Sequence, residues 1–432
     1  MKNLVGTTFK VVSMGCKVNY YECEAIANIF ENKGFLRVDT KDNSDISIIN
    51  TCAVTEEASR KSRQIIRRTV KLTNDLTIVC GCLSQIDNSI KEIEGVDIIF
   101  GSKNKANIYD AVITYYSNNP KKYNYIDYDI FHSQFDNLDV KKYESHTRAF
   151  LKVEDGCSNF CSYCVIPYAR GNVRSKPLED VVKEAKTLVL NGHKEIVVTG
   201  IDTGSYGKDI NSSFYELLVE LEKIEGLERI RISSLEITQL NNDIISLIKY
   251  SHKIVHHIHI PLQSGSNRIL KLMNRHYDKE YFINKVSQIR KEIPNISITT
   301  DFIVGFPTET DEDFEESLDT LNKIKFDTIH TFPYSKRTGT KAATMEQVPQ
   351  NIKKERSKVI LELSNIGKMS YIKDNLNSIQ DCIFEIFENG YIYGHTGNYI
   401  YVKTKADISY LNKLLKVKLL SIEEDAVLAE II

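Results

Sequence analysis

No apolar run in this chain approaches the roughly twenty residues that a membrane-spanning helix needs. The opening residues MKNLVGTTFK carry neither an apolar core nor a cleavage site, so a cytoplasmic protein without a membrane partner is expected. Net charge is also nearly absent, with 56 Lys and Arg against 58 Asp and Glu, a formal balance of −2. No whole-molecule field therefore draws in a polyanion, and a nucleic acid would have to be met by a local basic patch. Internal repeats are lacking as well. The cysteines cannot all pair: there are nine, an odd number, and without a secretion signal they argue for metal or cluster ligation rather than a disulfide framework. What remains is ordinary: 432 residues, 42% apolar and 26% charged, enough for two or three globular domains.

The most specific run is GCSNFCSYCVIPYARG, in which Cys157, Cys161 and Cys164 follow the apolar segment AFLKVED. Three thiolates on one tight loop hold three irons of a 4Fe-4S cluster and leave the fourth open to a substrate or cofactor. A structural zinc site would close all four positions, and the nearest histidines, His146 and His193, have no ligand spacing to the triplet.

Three regions follow from the periodicity. Up to residue 118, the β runs FKVVSMG, DISIINT, LTIVCG and VDIIFG alternate with helical patterns, which predicts a doubly wound α/β domain. Residues 119–146, rich in Asn, Lys, Tyr and Asp, read as a linker. From 147 to 370, AFLKV, EIVVTG, RIRISS, IHIPLQ, SITTDFIVG and TIHTFPYS are separated by helix-length segments, which predicts a partial (β/α)6 barrel related to the TIM architecture. In such barrels the chemistry sits at the C-terminal strand ends, and the cysteine loop follows the first strand. The remainder, 371–432, consists of short β runs and is expected to form a small antiparallel barrel.

Three further cysteines share a position. Cys16 in SMGCKVNYYECE, Cys52 in INTCAVTEEASRKSRQ and Cys82 in VCGCLSQ each follow a strand, and strand-to-helix turns of a parallel sheet line up at one edge. A second three-thiolate site is expected there. Cys80 has the same parity as Cys82 if the strand continues and is the rival ligand, while Cys23 and Cys382 have no such setting.

With these residues in hand, the chain resembles the methylthiotransferases, radical S-adenosylmethionine (SAM) enzymes with an N-terminal auxiliary-cluster domain and a C-terminal TRAM barrel. GCKVNYYECE, NTCAVTEEASRKSRQIIRR, HIPLQSGSNRILKLMNR, TDFIVGFPTET and GHTGNYIYV look most like the branch that modifies N6-threonylcarbamoyladenosine at tRNA position 37, with AVT after Cys52 as the local cue. Sister branches act on isopentenyladenosine or on an aspartate of a ribosomal protein. The resemblance implies two 4Fe-4S clusters, one on Cys157, Cys161 and Cys164 that splits SAM to a carbon radical, the other on Cys16, Cys52 and Cys82 that holds the sulfur to be methylated and transferred. An unactivated C–H bond at C2 of adenine suits such chemistry. Implied partners are the tRNA anticodon stem-loop, an electron donor such as flavodoxin or ferredoxin, and a sulfur donor. A non-catalytic iron-sulfur RNA-binding regulator is the reading from another class.

For SAM the candidates are Tyr163 in the cysteine loop, Gly200 in the turn VVTGIDTGSYG, and Ser234 with its neighbour Ser233, Gln263 and Asp301, near or within barrel strands three to five, where polar groups are either ligand contacts or satisfied internal hydrogen bonds. His257 and His259 share a face of one strand and are assigned no metal. For RNA phosphates the candidates are Arg60, Lys61, Arg63, Arg67 and Arg68, crowded on one helix just after Cys52 with few acids beyond Glu56 and Glu57. The C-terminal region holds more acids than bases, so Tyr391, Tyr393, Tyr399 and Tyr401 are candidates for stacking on unpaired bases instead.

Overall fold

The N-terminal alternation closes into one parallel sheet in the computed structural model, which describes residues 4–118, 122–143, 147–424 and 426–432. Strands β1 (Thr8–Ser13), β2 (Leu36–Arg37), β3 (Ser44–Thr51), β4 (Thr73–Gly81), β5 (Ile98–Phe100) and β6 (Tyr123–Tyr125) lie in the order β2-β1-β3-β4-β5-β6, every neighbouring pair parallel. Apolar clusters cover both faces, which is why the central strands read as near-continuous apolar runs. The strand order reverses between β1 and β3, and the crevice beyond the carboxyl ends at such a point is where open α/β sheets take their ligands.

The expected linker is not loose. Its described part supplies β6, buries Leu138, Val140 and Tyr143 in the central core, and receives a hydrogen bond from the Tyr21 hydroxyl at the Leu138 carbonyl, 2.5 Å away. Its apolar residues are too sparse to give a period, so the sequence pattern missed a strap that ties the first domain to the second. The ends of that segment, 119–121 and 144–146 with His146, lie outside the described residues.

The barrel strands are β7 (Arg148–Lys152), then, after a short antiparallel pair β8 (Glu154–Asp155) and β9 (Arg174–Ser175), β10 (Glu195–Thr199), β11 (Arg229–Ile232), β12 (His257–His259), β13 (Ser297–Val304) and β14 (Thr328–Pro333). Two parallel three-stranded sheets, β11-β10-β7 and β12-β13-β14, are joined by the backbone bonds Ile230 N–H to Lys253 C=O, 2.8 Å, and Leu235 N–H to His259 C=O, 3.0 Å. All six expected βα units are present. Helix Lys17–Asn32 of the first domain lies along β7, with Tyr20 edge-on to Phe150 at 5.6 Å and stacked on Tyr143 at 5.9 Å.

After helix Gln350–Asn375, strands β15 (Ile379–Glu388), β16 (Tyr391–Thr396), β17 (Tyr401–Lys405), β18 (Leu414–Ile422) and β19 (Val427–Ile431) close a barrel in the order β15-β16-β17-β19-β18. It departs from the antiparallel expectation at one seam, where β17 and β19 pair parallel. This barrel caps the N-terminal strand ends of the larger one. Arg229 and Arg231, ion-paired to the buried Glu195, donate on to the carbonyls of Asp381, His395, Thr396 and Gly397. Burial opposes ionisation of Glu195, but the charges of Arg231, Arg229 and Arg148 outweigh it and hold the carboxyl at about 2.

Candidate iron-sulfur centre

Cys16, Cys52 and Cys82 follow β1, β3 and β4, three adjacent strands, at the carboxyl edge and the switch point. They come together there. A Cβ on Gly15 would stand 2.4 Å from the Cys52 Sγ, so the turn before Cys16 must be glycine, at φ +90°, for the Cys52 thiol to approach. Gly81 sets the rivals Cys80 and Cys82 in different surroundings. At φ +103° it ends β4, and a side chain there would meet Asn50 Oδ1 and the Thr51 carbonyl at 2.4 Å. Parity is lost across that turn: Cys80 joins Cys23, Phe9 and Ile46 in one apolar cluster, and Cys82 joins Ile49, Cys157 and Cys164 in the other. Cys23 and Cys382 are buried core thiols.

The second set stands on the loop after β8. Its backbone is anchored by Cys157 N–H to Gly171 C=O, 3.0 Å, Ser162 N–H to Met273 C=O, 3.0 Å, and Ala342 N–H to Ser162 C=O, 2.8 Å. Both cysteine sets therefore face one contact between the two domains, and a buried arginine serves each. Arg275 Nη1 lies 3.4 Å from Cys161 Sγ, and Arg170 Nε lies 3.1 Å from Cys82 Sγ although Arg170 belongs to the other domain's loop.

Arg170 is fully buried and also donates to Glu22 Oε1 at 3.0 Å, Asp155 Oδ1 at 2.9 Å and Asn19 Oδ1 at 2.7 Å. Lys105 and Lys152 pair with Glu22, and Lys152 and Arg174 with Asp155. Burial works against both carboxylates, yet Arg170 and its companion cations hold each well below its ordinary range. Four buried cations thus surround two buried anions beside Cys82, and a positive surplus in a dry site calls for an anion. Thiolates on iron would supply one. Without metal the Cys52 and Cys164 thiols stay protonated, since burial pushes Cys52 up to about 11 and Cys164 up to about 12, so iron binding there would release protons. Among the described residues no three Cys, His, Asp or Glu side chains converge on a single ion. A four-iron cube binds each thiolate through a different iron, so its ligands stand apart and the donor set fits.

The SAM candidates do not line one pocket. Ser234 and Asp301 line a cavity of about 580 Å³ inside the barrel. Tyr163 packs edge-on against Phe306 at 6.5 Å. Gln263, at φ +67°, ties the end of β12 to β13 through its own N–H and C=O. Gly200 makes room for Glu154, whose Oε2 would stand 2.5 Å from a Cβ there and accepts the N–H groups of Ile201 and Asp202, both at 2.8 Å. Burial raises the Glu154 carboxyl well above its ordinary range, and its other oxygen is buried without a partner among the described residues.

The basic helix, Glu56–Val70, carries Arg60, Lys61, Arg67 and Arg68 exposed and Arg63 half-buried. Arg60 and Lys61 pair with Glu57, and Arg63 with Asp87, an acid from the neighbouring turn that the helix sequence does not reveal. Arg67 and Arg68 form no ion pair among the described residues. Of the tyrosines, Tyr393 and Tyr401 stack on each other at 5.9 Å, whereas Tyr399 is turned to the larger barrel, stacked on His257 at 4.8 Å and under the Arg231 guanidinium at 4.5 Å.

Residues 151–321 match the family model of the radical SAM superfamily, and residues 8–101 match that of the uncharacterized protein family UPF0004. A Bacillus subtilis (strain 168) protein named threonylcarbamoyladenosine tRNA methylthiotransferase MtaB is 41% identical over 94% of this chain and 92% of its own length. An Acetivibrio thermocellus protein named tRNA-2-methylthio-N(6)-dimethylallyladenosine synthase is 38% identical over 94% of this chain and 87% of its own. The chain belongs to the radical SAM methylthiotransferase family. Among solved structures, the radical SAM methyltransferase TsrM from Kitasatospora setae shares the fold, with a TM-score of 0.59 at 14% identity over 78% of this chain and 77% of that one. This methylthiotransferase is thus an enzyme whose cofactors are SAM and 4Fe-4S clusters. Such groups supply one-electron and sulfur-transfer chemistry when bound, and the two cysteine sets are the residues that would hold the clusters. The chain itself contributes enclosure, two arginines hydrogen-bonded to sulfur, and a buried positive field that offsets the thiolates' charge. Among the described residues, no helix is long and apolar enough to cross a membrane.

Proposed function

We propose that the chain is a tRNA (N6-threonylcarbamoyladenosine(37)-C2)-methylthiotransferase. The observation that carries this reading is the meeting of the two cysteine sets across one domain contact, bridged by Arg170. Cys157, Cys161 and Cys164 hold the cluster that cleaves SAM, and Cys16, Cys52 and Cys82 hold the auxiliary cluster that presents sulfur. Tyr163, Gly200, Ser234, Gln263 and Asp301 remain the candidate SAM contacts. Residues 1–118 serve as the auxiliary-cluster domain, 119–146 as the connecting strap, 147–370 as the radical SAM core and 371–432 as the TRAM barrel. Arg67 and Arg68, free of acidic partners among the described residues, are best placed for anticodon stem-loop phosphates, with Arg60, Lys61 and Arg63 releasing theirs to join. The chemistry requires a one-electron donor of the flavodoxin or ferredoxin kind and a source of sulfur.

The relatives divide between two substrates, so the discriminating experiment offers both. Reconstituted enzyme with SAM and a reductant is given tRNA bearing threonylcarbamoyladenosine and tRNA bearing isopentenyladenosine, and the nucleosides are analysed by mass spectrometry. Methylthiolation of the first and not the second is expected. Equal turnover, or preference for the second, overturns the substrate assignment and leaves the radical chemistry standing.

A further inference from the structure

The cavity inside the barrel is lined by residues of β11 to β14, by Lys368, Tyr371 and Ile372 of helix Gln350–Asn375, by Tyr399 and Tyr401 among others of the C-terminal barrel, and by one residue of the first domain, Lys17. Lys17 directly follows Cys16. Its side chain remains accessible and makes no hydrogen bond or salt bridge among the described residues, whereas the donors of Arg231 in the same cavity are taken up by Glu195, Thr396 and Gly397.

A chain of hydrogen bonds runs across the cavity wall and ends unpaired. Asp301 Oδ2 lies 3.3 Å from His259 Nε2, His259 Nδ1 lies 2.9 Å from Thr299 Oγ1, and Thr299 Oγ1 lies 3.3 Å from His257 Nε2. A carboxylate only accepts, so His259 donates to Asp301 through Nε2–H; with His259 neutral, its Nδ1 accepts from the Thr299 hydroxyl, and that hydroxyl accepts from His257 Nε2–H. His257 is then left with a bare acceptor at Nδ1. That atom is buried and has no partner among the described residues, and His257 is 8% exposed. The cavity thus offers two lysines without a hydrogen-bond partner among the described residues, Lys17, whose charge the Asp301 and Glu195 carboxylates favour, and Lys368, together with one buried imidazole nitrogen left unpaired.

We propose that Lys17 and His257 form a subsite for the amino-acid end of the N6 substituent, Lys17 binding its carboxylate and His257 Nδ1 accepting from its hydroxyl or N–H. This rests on the threonylcarbamoyladenosine reading and deepens it. A threonyl group carries a carboxylate and a hydroxyl on neighbouring carbons, the pairing that a cation beside a bare acceptor demands. C2 lies on the same edge of adenine as N6, so gripping the N6 substituent fixes where C2 stands relative to Cys16, the residue beside Lys17. An isopentenyl group offers neither donor nor anion and would leave both groups unpaired, which a site built on polar contacts rejects strongly. SAM also carries a carboxylate, so the test must tell the two sources apart.

The probes are two anticodon stem-loop RNAs that differ only in carrying threonylcarbamoyladenosine or plain adenosine, with holoenzyme whose iron content is verified for every variant. Wild type is expected to bind the modified RNA about tenfold or more tighter, the range of one charge-assisted hydrogen bond. Lys17→Met and His257→Phe should each pull that ratio toward one, Lys17→Arg should restore part of it, and SAM affinity by equilibrium dialysis should hold in Lys17→Met. His257 is in the other domain from Cys16, so it decides the matter if Lys17→Met fails to load iron. An unchanged ratio in both variants, a wild type that binds the two RNAs equally, or loss of SAM affinity with the ratio intact overturns the subsite. If wild type methylthiolates threonylcarbamoyladenosine while any of these holds, only the subsite falls. If it never acts on that nucleoside, the functional reading falls first.

Discussion

Replacing Arg170 by Met tests whether the two domains are held in register by charge. The side chain is fully buried and donates to Cys82, Glu22, Asp155 and Asn19. Removing it leaves two carboxylates and an amide in a dry site with fewer partners, and breaking a buried ion pair from one side costs about 3–5 kcal/mol. Lys105, Lys152 and Arg174 still neutralise the carboxylates, which places the expected loss at the lower end of that range. With a urea dependence of about 2 kcal/mol per molar, the transition that includes the N-terminal domain should move down by roughly 1.5 M. The measurement is anaerobic urea unfolding of the metal-free chain, followed by circular dichroism. Arg170→Lys should recover only part of the loss, because a single ammonium cannot replace the guanidinium fork. Glu22→Gln in the Arg170→Met background should cost less than the sum of the two changes, since each group is the other's partner. A shift below roughly 0.3 M for Arg170→Met, or strict additivity, would refute the reasoning.

Cys82→Ala should abolish methylthiolation while SAM is still cleaved to 5′-deoxyadenosine, and Cys80→Ala should keep product, because Gly81 turns the two thiols into different clusters; the reverse pattern by nucleoside and 5′-deoxyadenosine chromatography would reassign the ligand. Changing Cys157, Cys161 and Cys164 together to Ala should lower iron from about eight to about four per chain, and a variant that still carries about eight would sink that assignment. Arg67→Gln with Arg68→Gln should weaken stem-loop binding and lower its salt slope by up to about one logarithmic unit per lost phosphate contact, whereas an unchanged slope removes the helix from the RNA interface. The Glu195 carboxyl is depressed from 4.5 to about 2, so its stabilisation is present above pH 4.5 and lost as pH falls through 2. Glu195→Gln should therefore cost about 3 kcal/mol at neutral pH and flatten the acid limb of unfolding, and an acid limb identical to wild type would remove Glu195 as its source.

The cysteine sets were legible because they depend on chain-local rules. Three thiols on one loop need no tertiary information, and three thiols each just past a parallel strand converge through sheet topology alone. The different surroundings of Cys80 and Cys82 depend on the turn at Gly81, since parity carries across a strand and not across a residue at φ +103°. Arg170 and Arg275 were invisible for a different reason. A buried charge is stable only through partners, and those of Arg170 come from residues 19, 22, 82 and 155, which no periodicity links. Asp87, which neutralises Arg63, and Leu138, which seats the strap, were missed likewise: each acts on a residue far away in sequence. The six barrel strands were legible from apolar runs, whereas the parallel seam between β17 and β19 was not, because strand runs state no direction.

The most direct measurement is nucleoside mass spectrometry of bulk tRNA from cells with and without the gene. The account expects 2-methylthio-N6-threonylcarbamoyladenosine to disappear on deletion and its unmethylthiolated precursor to rise in step, with 2-methylthio-isopentenyladenosine unaffected. An unchanged pool of 2-methylthio-N6-threonylcarbamoyladenosine, in cells that make it and hold no second gene for that same modification, would contradict it.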